Sequence, residues 1–258
     1  MIFPRKVRSR FGPGLLGVLM LSATVVVVNH GRLQVASLRA QPKQVAMPEK
    51  PPIYVPPPDV GAPVGRIGGG TRSLRPQESS ADMHVSVLAP NHVGLTAQPQ
   101  PALYWYVSNP AHDDMMLTVH AEGATAPLLR IHLRAPSQSG IYRTTLADYG
   151  VYLKPMVPYR WDVTVLTPDD SDRDVMSSGV IKYVERSADL RASVARAEKA
   201  RIPYLYAEAG YWYDAVETLS QLIDATPDDD ALRQMRAALS QQVGLHEVSA
   251  YDKTAMAK

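Results

Sequence analysis

Cysteine is absent from all 258 residues. Disulfides, thiolate zinc sites and cysteine nucleophiles are thereby excluded together. Other chemical signatures are missing too. None of the histidines, among them His84, His92, His112, His120, His132 and His246, stands in HxxxH or HExxH spacing, so no helix offers a zinc-ligand pair. No G-x-S-x-G elbow occurs, and Ser177-Ser178-Gly179 stands where a strand should begin. Asp170, Asp172 and Asp174 open like a calcium loop, yet Val175 and Ile181 fill the positions that need glycine and glutamate. A hydrolytic carboxylate pair drawn from Asp148, Asp162 and Glu185 has no spacing to single it out. The expectation is a protein without catalytic residues, metal or cofactor.

Positive charge is scarce where a nucleic-acid platform would need it. Residues 1–75 hold eleven Lys and Arg against two acids, which leaves sixteen bases and twenty-three acids over 76–258. The body is therefore acidic, and nucleic acid is excluded as a partner. Long apolar runs are equally scarce. The one present, GLLGVLMLSATVVVV at 14–28, follows a basic stretch carrying Arg5, Lys6, Arg8 and Arg10. Basic flank then apolar core is the order of an export signal, and the run is shorter than the roughly 20 residues of a spanning helix. Residues 1–40 thus read as a signal peptide or an N-terminal membrane anchor, with the body exported to the periplasm.

Proline dominates the next segment. Residues 41–75 read as a Pro/Gly-rich linker, with Pro48, Pro51, Pro52, Pro56, Pro57, Pro58 and Pro63 favouring polyproline II. Its GRIGGGTR stretch at 65–72 fits neither the dinucleotide nor the Walker pattern. Arg66 and Arg72 remain candidate anion contacts.

From residue 76 to 185 the hydropathy alternates with period two. In PALYWYVS at 101–108, Leu103, Trp105 and Val107 share one face while Tyr104 and Tyr106 share the other. Tyr159, Trp161, Val163 and Val165 alternate likewise, as do Leu129, Ile131 and Leu133. About seven short strands separated by turn signals predict an antiparallel β-sandwich of immunoglobulin or fibronectin-III type. Its core closes on Trp105 and Trp161, and Tyr159 is placed like the tyrosine of a tyrosine corner.

Residues 186–246 switch to a helical period. Ser187 is a fitting N-cap, Thr226-Pro227 reads as the start of a last helix, and Gly244 reads as a Schellman stop. GYWYDA at 210–215 matches half of a tetratricopeptide unit, with Gly210 and Ala215 allowing close helix approach. A single unit forms no solenoid groove, so it is expected to pack on the sandwich. The fold class is α+β, and residues 247–258 are expected as a disordered tail.

GRIGGGTR, then GLTAQPQPALYWYVS at 94–108, the Tyr159-x-Trp161 strand, AGYWYDAVETL at 209–219 and QQVGL at 241–245, in that order, resemble one bacterial group. It is the domain-of-unknown-function family numbered 928, of cyanobacterial and some proteobacterial exported proteins. The resemblance covers roughly residues 64–246 and implies an exported protein with no catalytic residues to carry over. Tyr104, Tyr106, Trp212 and Tyr213 are the candidate interaction or ligand face. The expected function is an extracytoplasmic, non-enzymatic module for an envelope protein or peptide; a small-ligand sensor or enzyme with a site between sandwich and helices is the alternative.

Overall fold

The computed structural model describes residues 50–58, 83–111, 114–166 and 175–255. The leader at 1–40, Arg66, Arg72, His112 and the Asp170, Asp172 and Asp174 run lie outside them. Among the described residues eight strands form two sheets. Strands β1 (Val85–Val87), β3 (Ala102–Val107) and β6 (Gly140–Thr145) make a three-stranded antiparallel sheet in the order β1-β3-β6. The second sheet runs β2-β8-β7-β4-β5, from β2 (Gly94–Thr96), β4 (Met115–Ala121), β5 (Leu129–Leu133), β7 (Pro158–Val165) and β8 (Val175–Tyr183). All its pairings are antiparallel except β2 with β8.

The sheets meet where β1 lies over β8. The Val87 N–H donates to Ser177 Oγ at 3.0 Å, and a Cβ at Gly179 would collide with Ala89. Glycine at 179 therefore sets how near the layers come. Trp105 and Val107 pair in register with Val87 and Val85 and share their face with them and with Leu103, and all five are buried. Trp161, paired with Val119 and Gly179, is fully buried in the other sheet. Its ring partner is Tyr213, whereas Trp105 stacks on Tyr142 of the neighbouring strand. The Lys154 N–H donates to Tyr159 Oη at 3.1 Å, which pins the turn ahead of β7.

Among the described residues five α-helices follow the sheets: α1 (Ala188–Arg196), α2 (Ile202–Glu208), α3 (Trp212–Ala225), α4 (Asp230–Gln242) and α5 (His246–Ala255). Ser187 caps α1 by accepting from the Leu190 N–H at 3.1 Å. The cap of α4 is Asp229, which accepts from the Ala231 N–H at 3.0 Å. Thr226, expected to start that helix, instead ends α3; both its N–H and its hydroxyl turn back to the Leu222 carbonyl. The Schellman stop forms through Leu245 N–H to Ser240 O at 2.9 Å and Gly244 N–H to Gln241 O at 3.2 Å.

Two stretches differ from expectation. Within the stretch expected as a disordered tail, the described residues up to Ala255 belong to the helix α5 (His246–Ala255). Its Val248, Ser249 and Asp252 are buried, and Asp252 accepts from Arg236 Nε at 2.8 Å and Nη2 at 2.7 Å. That anchor overrides a polar composition of low helical amphipathicity. Residues 50–58, inside the expected linker, are seated on the helices. Their backbone bonds go to groups more than 150 positions away, which local composition cannot reveal. No helix among the described residues is long and apolar enough to cross a membrane.

Candidate functional site

Alternation along β3 sends Tyr104 and Tyr106 away from the facing sheet, and both are buried. Helices cover them. Tyr106 meets Tyr251 of α5 with ring centroids 5.2 Å apart. Burial holds the Tyr104 phenol above its ordinary pKa, with the charges of Glu217 and Asp224 on α3 adding to the shift. Arg143 on β6 eases it, though the Tyr104 hydroxyl makes no well-formed hydrogen bond. Trp212 and Tyr213 lie elsewhere, at the first turn of α3. Trp212 Nε1 donates to the Leu88 carbonyl at 2.8 Å. Trp161 Nε1 donates to Tyr213 Oη at 2.9 Å, and that hydroxyl donates on to Val180 O at 3.1 Å. The four candidate aromatics thus form two separate clusters. Trp105, Trp161, Tyr159 and Ala215 are core, and Gly210 is buried.

Beside Tyr106 the surface opens into a cleft of about 820 Å³ between the three-stranded sheet and α5. One wall is Ser137, Gln138 and Ser139 before β6; the other is Glu247, Tyr251 and Thr254. On its lining His84 Nδ1 lies 3.9 Å from Glu247 Oε1, and Ser86 Oγ donates to the other carboxylate oxygen at 3.2 Å. The Ser108 hydroxyl accepts from the His84 N–H at 2.8 Å. The cleft presents hydroxyls, a side-chain amide, one carboxylate and two phenol rings, a set that can bind by hydrogen bonding and stacking.

A second polar group lies under α3. Asp214 Oδ2 accepts from the Ala97 N–H at 2.8 Å, and Oδ1 has no partner. Burial, with some repulsion from Glu217, pushes this carboxyl up to about 7, and the Ala97 N–H opposes the shift. Burial also raises Glu217. The folded protein therefore holds the Asp214 proton more tightly than the unfolded chain. Stability from this group falls as pH rises from about 4, the unfolded carboxyl value, through the folded value near 7, and is level above it. Between pH 5 and 8 the loss should be on the order of 2 kcal/mol in urea titrations. Asp214→Asn keeps an acceptor for Ala97 and should flatten the dependence; an unchanged slope would mean that Asp214 is ionised throughout.

Among the described residues no group of three His, Asp or Glu could hold a metal ion. Asp162, one of the carboxylates considered from sequence, accepts from Arg160 Nε at 2.9 Å and the Thr118 hydroxyl at 3.3 Å. Sequence reasoning overlooked Asp214, the His84–Glu247 pair and Tyr54. For Asp214 a signal existed: Asp214 and Glu217, three apart, share a helix face beside the apolar stripe. Nothing local marks the other two, since their partners are distant in sequence.

A family model described as Domain of Unknown Function (DUF928) matches residues 67–252. The match takes in both sheets and nearly all of α5, and begins after the docked segment at 50–58. No curated protein matches the chain.

Proposed function

Because the chain belongs to the Domain of Unknown Function (DUF928) family, whose description assigns no activity, we propose from the geometry that it is a non-enzymatic, extracytoplasmic module that binds an envelope protein or peptide. The observation that carries this reading is the cleft beside α5. It is open to solvent and rich in Tyr and Ser: Tyr106 and Tyr251 flank Ser108, Ser137, Ser139 and Thr254. Rigid phenols with adaptable hydroxyls around them are the composition of protein-recognition surfaces. The extracytoplasmic location rests on the basic-then-apolar leader.

The fold analogy belongs to the same reading. The order β2-β8-β7-β4-β5 against β1-β3-β6, with β2 parallel to β8, is what an immunoglobulin-like sandwich would give if its first strand were split between the sheets. The Lys154–Tyr159 bond supports a tyrosine corner. The α2–α3 hairpin, turning at Gly210 with Ala215 fully buried, supports a single tetratricopeptide-like unit.

A small-ligand sensor is the second reading, favoured by the cleft volume, which lies within the range of ligand pockets. One experiment separates them. Wild-type full chain and its Tyr251→Arg variant serve as baits in envelope extracts, and a metabolite set is screened by thermal shift. A protein retained by wild type and lost by the variant supports the interaction module. A metabolite that raises Tm only in wild type, with identical pull-down profiles, would replace it by the sensor.

A further inference from the structure

Residues 50–58, KPPIYVPPP, lie extended across α2, α3 and α4. Burial alternates along them. Pro52 and Tyr54 are buried, while Ile53 and Val55 are 66% and 50% exposed. Proline sets the extended backbone before binding, so little further entropy is lost on docking.

The helices hold this backbone by atoms suited to a peptide of any origin. The Gln242 side chain makes a two-point clamp: its Oε1 accepts from the Tyr54 N–H at 2.9 Å, and its Nε2 donates to Pro52 O at 2.9 Å. Val55 N–H donates at 3.1 Å to the Ala207 carbonyl near the end of α2, which also accepts from the Gly210 N–H. Tyr204 Oη donates to Lys50 O at 2.7 Å. Gly210, at φ +81°, leaves the space that Pro57 occupies; a Cβ there would come within 2.7 Å of the proline ring.

One side chain is read as well. The Tyr54 ring packs edge-on against Trp212 at 5.1 Å and parallel to His92 at 5.7 Å. Its hydroxyl shares a 2.8 Å hydrogen bond with His92 Nε2. A half-buried hydrogen-bond partner for the hydroxyl favours tyrosine over phenylalanine, because a phenyl ring would leave His92 Nε2 without this bond.

Backbone clamp, glycine-cleared proline seat and aromatic pocket together make a receptor and not merely a packing surface. We infer that α2, α3 and α4, with His92, form a recognition site for extended proline-rich peptides carrying a tyrosine, in which residues 50–58 are the intramolecular occupant. This site lies apart from the cleft beside α5, so the two stand or fall separately. Twenty-four residues separate Pro58 from Met83, a length that spans on the order of 80 Å when extended. Chain length therefore permits the same segment of a partner, or of a second copy, to take the seat. A tethered occupant acts at an effective concentration in the millimolar range, so the intact chain masks the site from a free peptide of micromolar affinity.

The test uses the full chain and a fluorescein-labelled synthetic peptide of residues 50–58, followed by anisotropy. Tyr54→Ala removes the occupant's anchor and leaves the receptor intact. Saturable binding to the Tyr54→Ala chain, at least tenfold tighter than to wild type, is expected. The same peptide with phenylalanine for tyrosine should bind about tenfold more weakly, and adding Gln242→Ala should abolish binding. If Tyr54→Ala does not fold by its thermal melt, Val55→Pro, which deletes the N–H that bonds Ala207 and constrains the backbone of Tyr54 before it, replaces it. A folded, opened chain that does not bind the peptide, or equal binding by wild type, overturns the proposal. If wild type is a dimer in sedimentation and Tyr54→Ala a monomer, the seat is filled by a second copy, which supports the recognition in trans.

Discussion

Replacing Asp252 by Ala should cost about 3–5 kcal/mol and loosen α5. Arg236 is 4% exposed and donates three hydrogen bonds, two to Asp252 and one to Ser220 Oγ at 3.0 Å. Asp252 is fully buried. Removing the carboxylate strands a guanidinium in a dry site, where its solvation is lost and nothing replaces the partner. The pair itself contributes far less than its removal costs. The double variant Arg236→Met, Asp252→Leu should therefore recover most of the loss in urea titrations. A single variant within about 1 kcal/mol of wild type would mean that water reaches Arg236. Glu247, Tyr251 and Thr254 line the cleft from the same helix, so the single variant should also lose whatever the cleft binds.

Truncating Trp161 to Ala should cost about 3–5 kcal/mol, through lost burial and an unfilled cavity. The indole is fully buried where the sheets and α3 meet. A conservative comparison sharpens the expectation. Trp161→Phe also deletes the bond to Tyr213, worth about 1 kcal/mol. Trp105→Phe instead removes a buried N–H that has no partner, so part of its cost is returned. Phenylalanine at 161 should therefore be worse tolerated than at 105, and the reverse order in chemical denaturation would assign the central role to Trp105.

Strands β3, β4, β5 and β7 are legible in the sequence because one face of each is apolar over five or more residues. Strand β2 is not: three residues, all buried, give no alternation to read, and their pairing with β8 is fixed some ninety positions away. Strand β8 extends ahead of its readable part because Ser177 and Ser178, polar by type, are buried against β1 and β7. Helix α5 was hidden for a related reason: Asp252 looks like a solvated acid until Arg236 is seen beside it. The tyrosine face was legible as a face, since period two assigns Tyr104 and Tyr106 to one side of β3. Which helix covers it was not, because Trp212 and Tyr213 are as aromatic as Tyr251 and only the path of α3 separates them. Proline between 51 and 58 argues for an extended backbone but says nothing of the seat.

The relay from Trp161 through Tyr213 to Val180 has a consequence for how the protein opens. Both phenylalanines stand at positions 3 and 11, so every benzenoid ring from residue 50 onward carries a polar atom. Many of those atoms join elements across the sheet–helix boundary: Trp212 to Leu88, Tyr211 Oη to Glu185 O at 3.0 Å, and Arg186 Nη1 to Tyr206 Oη at 2.9 Å. An interface of plain hydrocarbon tolerates sliding, because each displaced contact is replaced by another. Here a shift of α3 by one turn would leave several buried donors unpaired at once. The aromatic residues thus act as keys for one docking geometry, and the helices and the sheets they cover should exchange their amide protons as one cooperative unit.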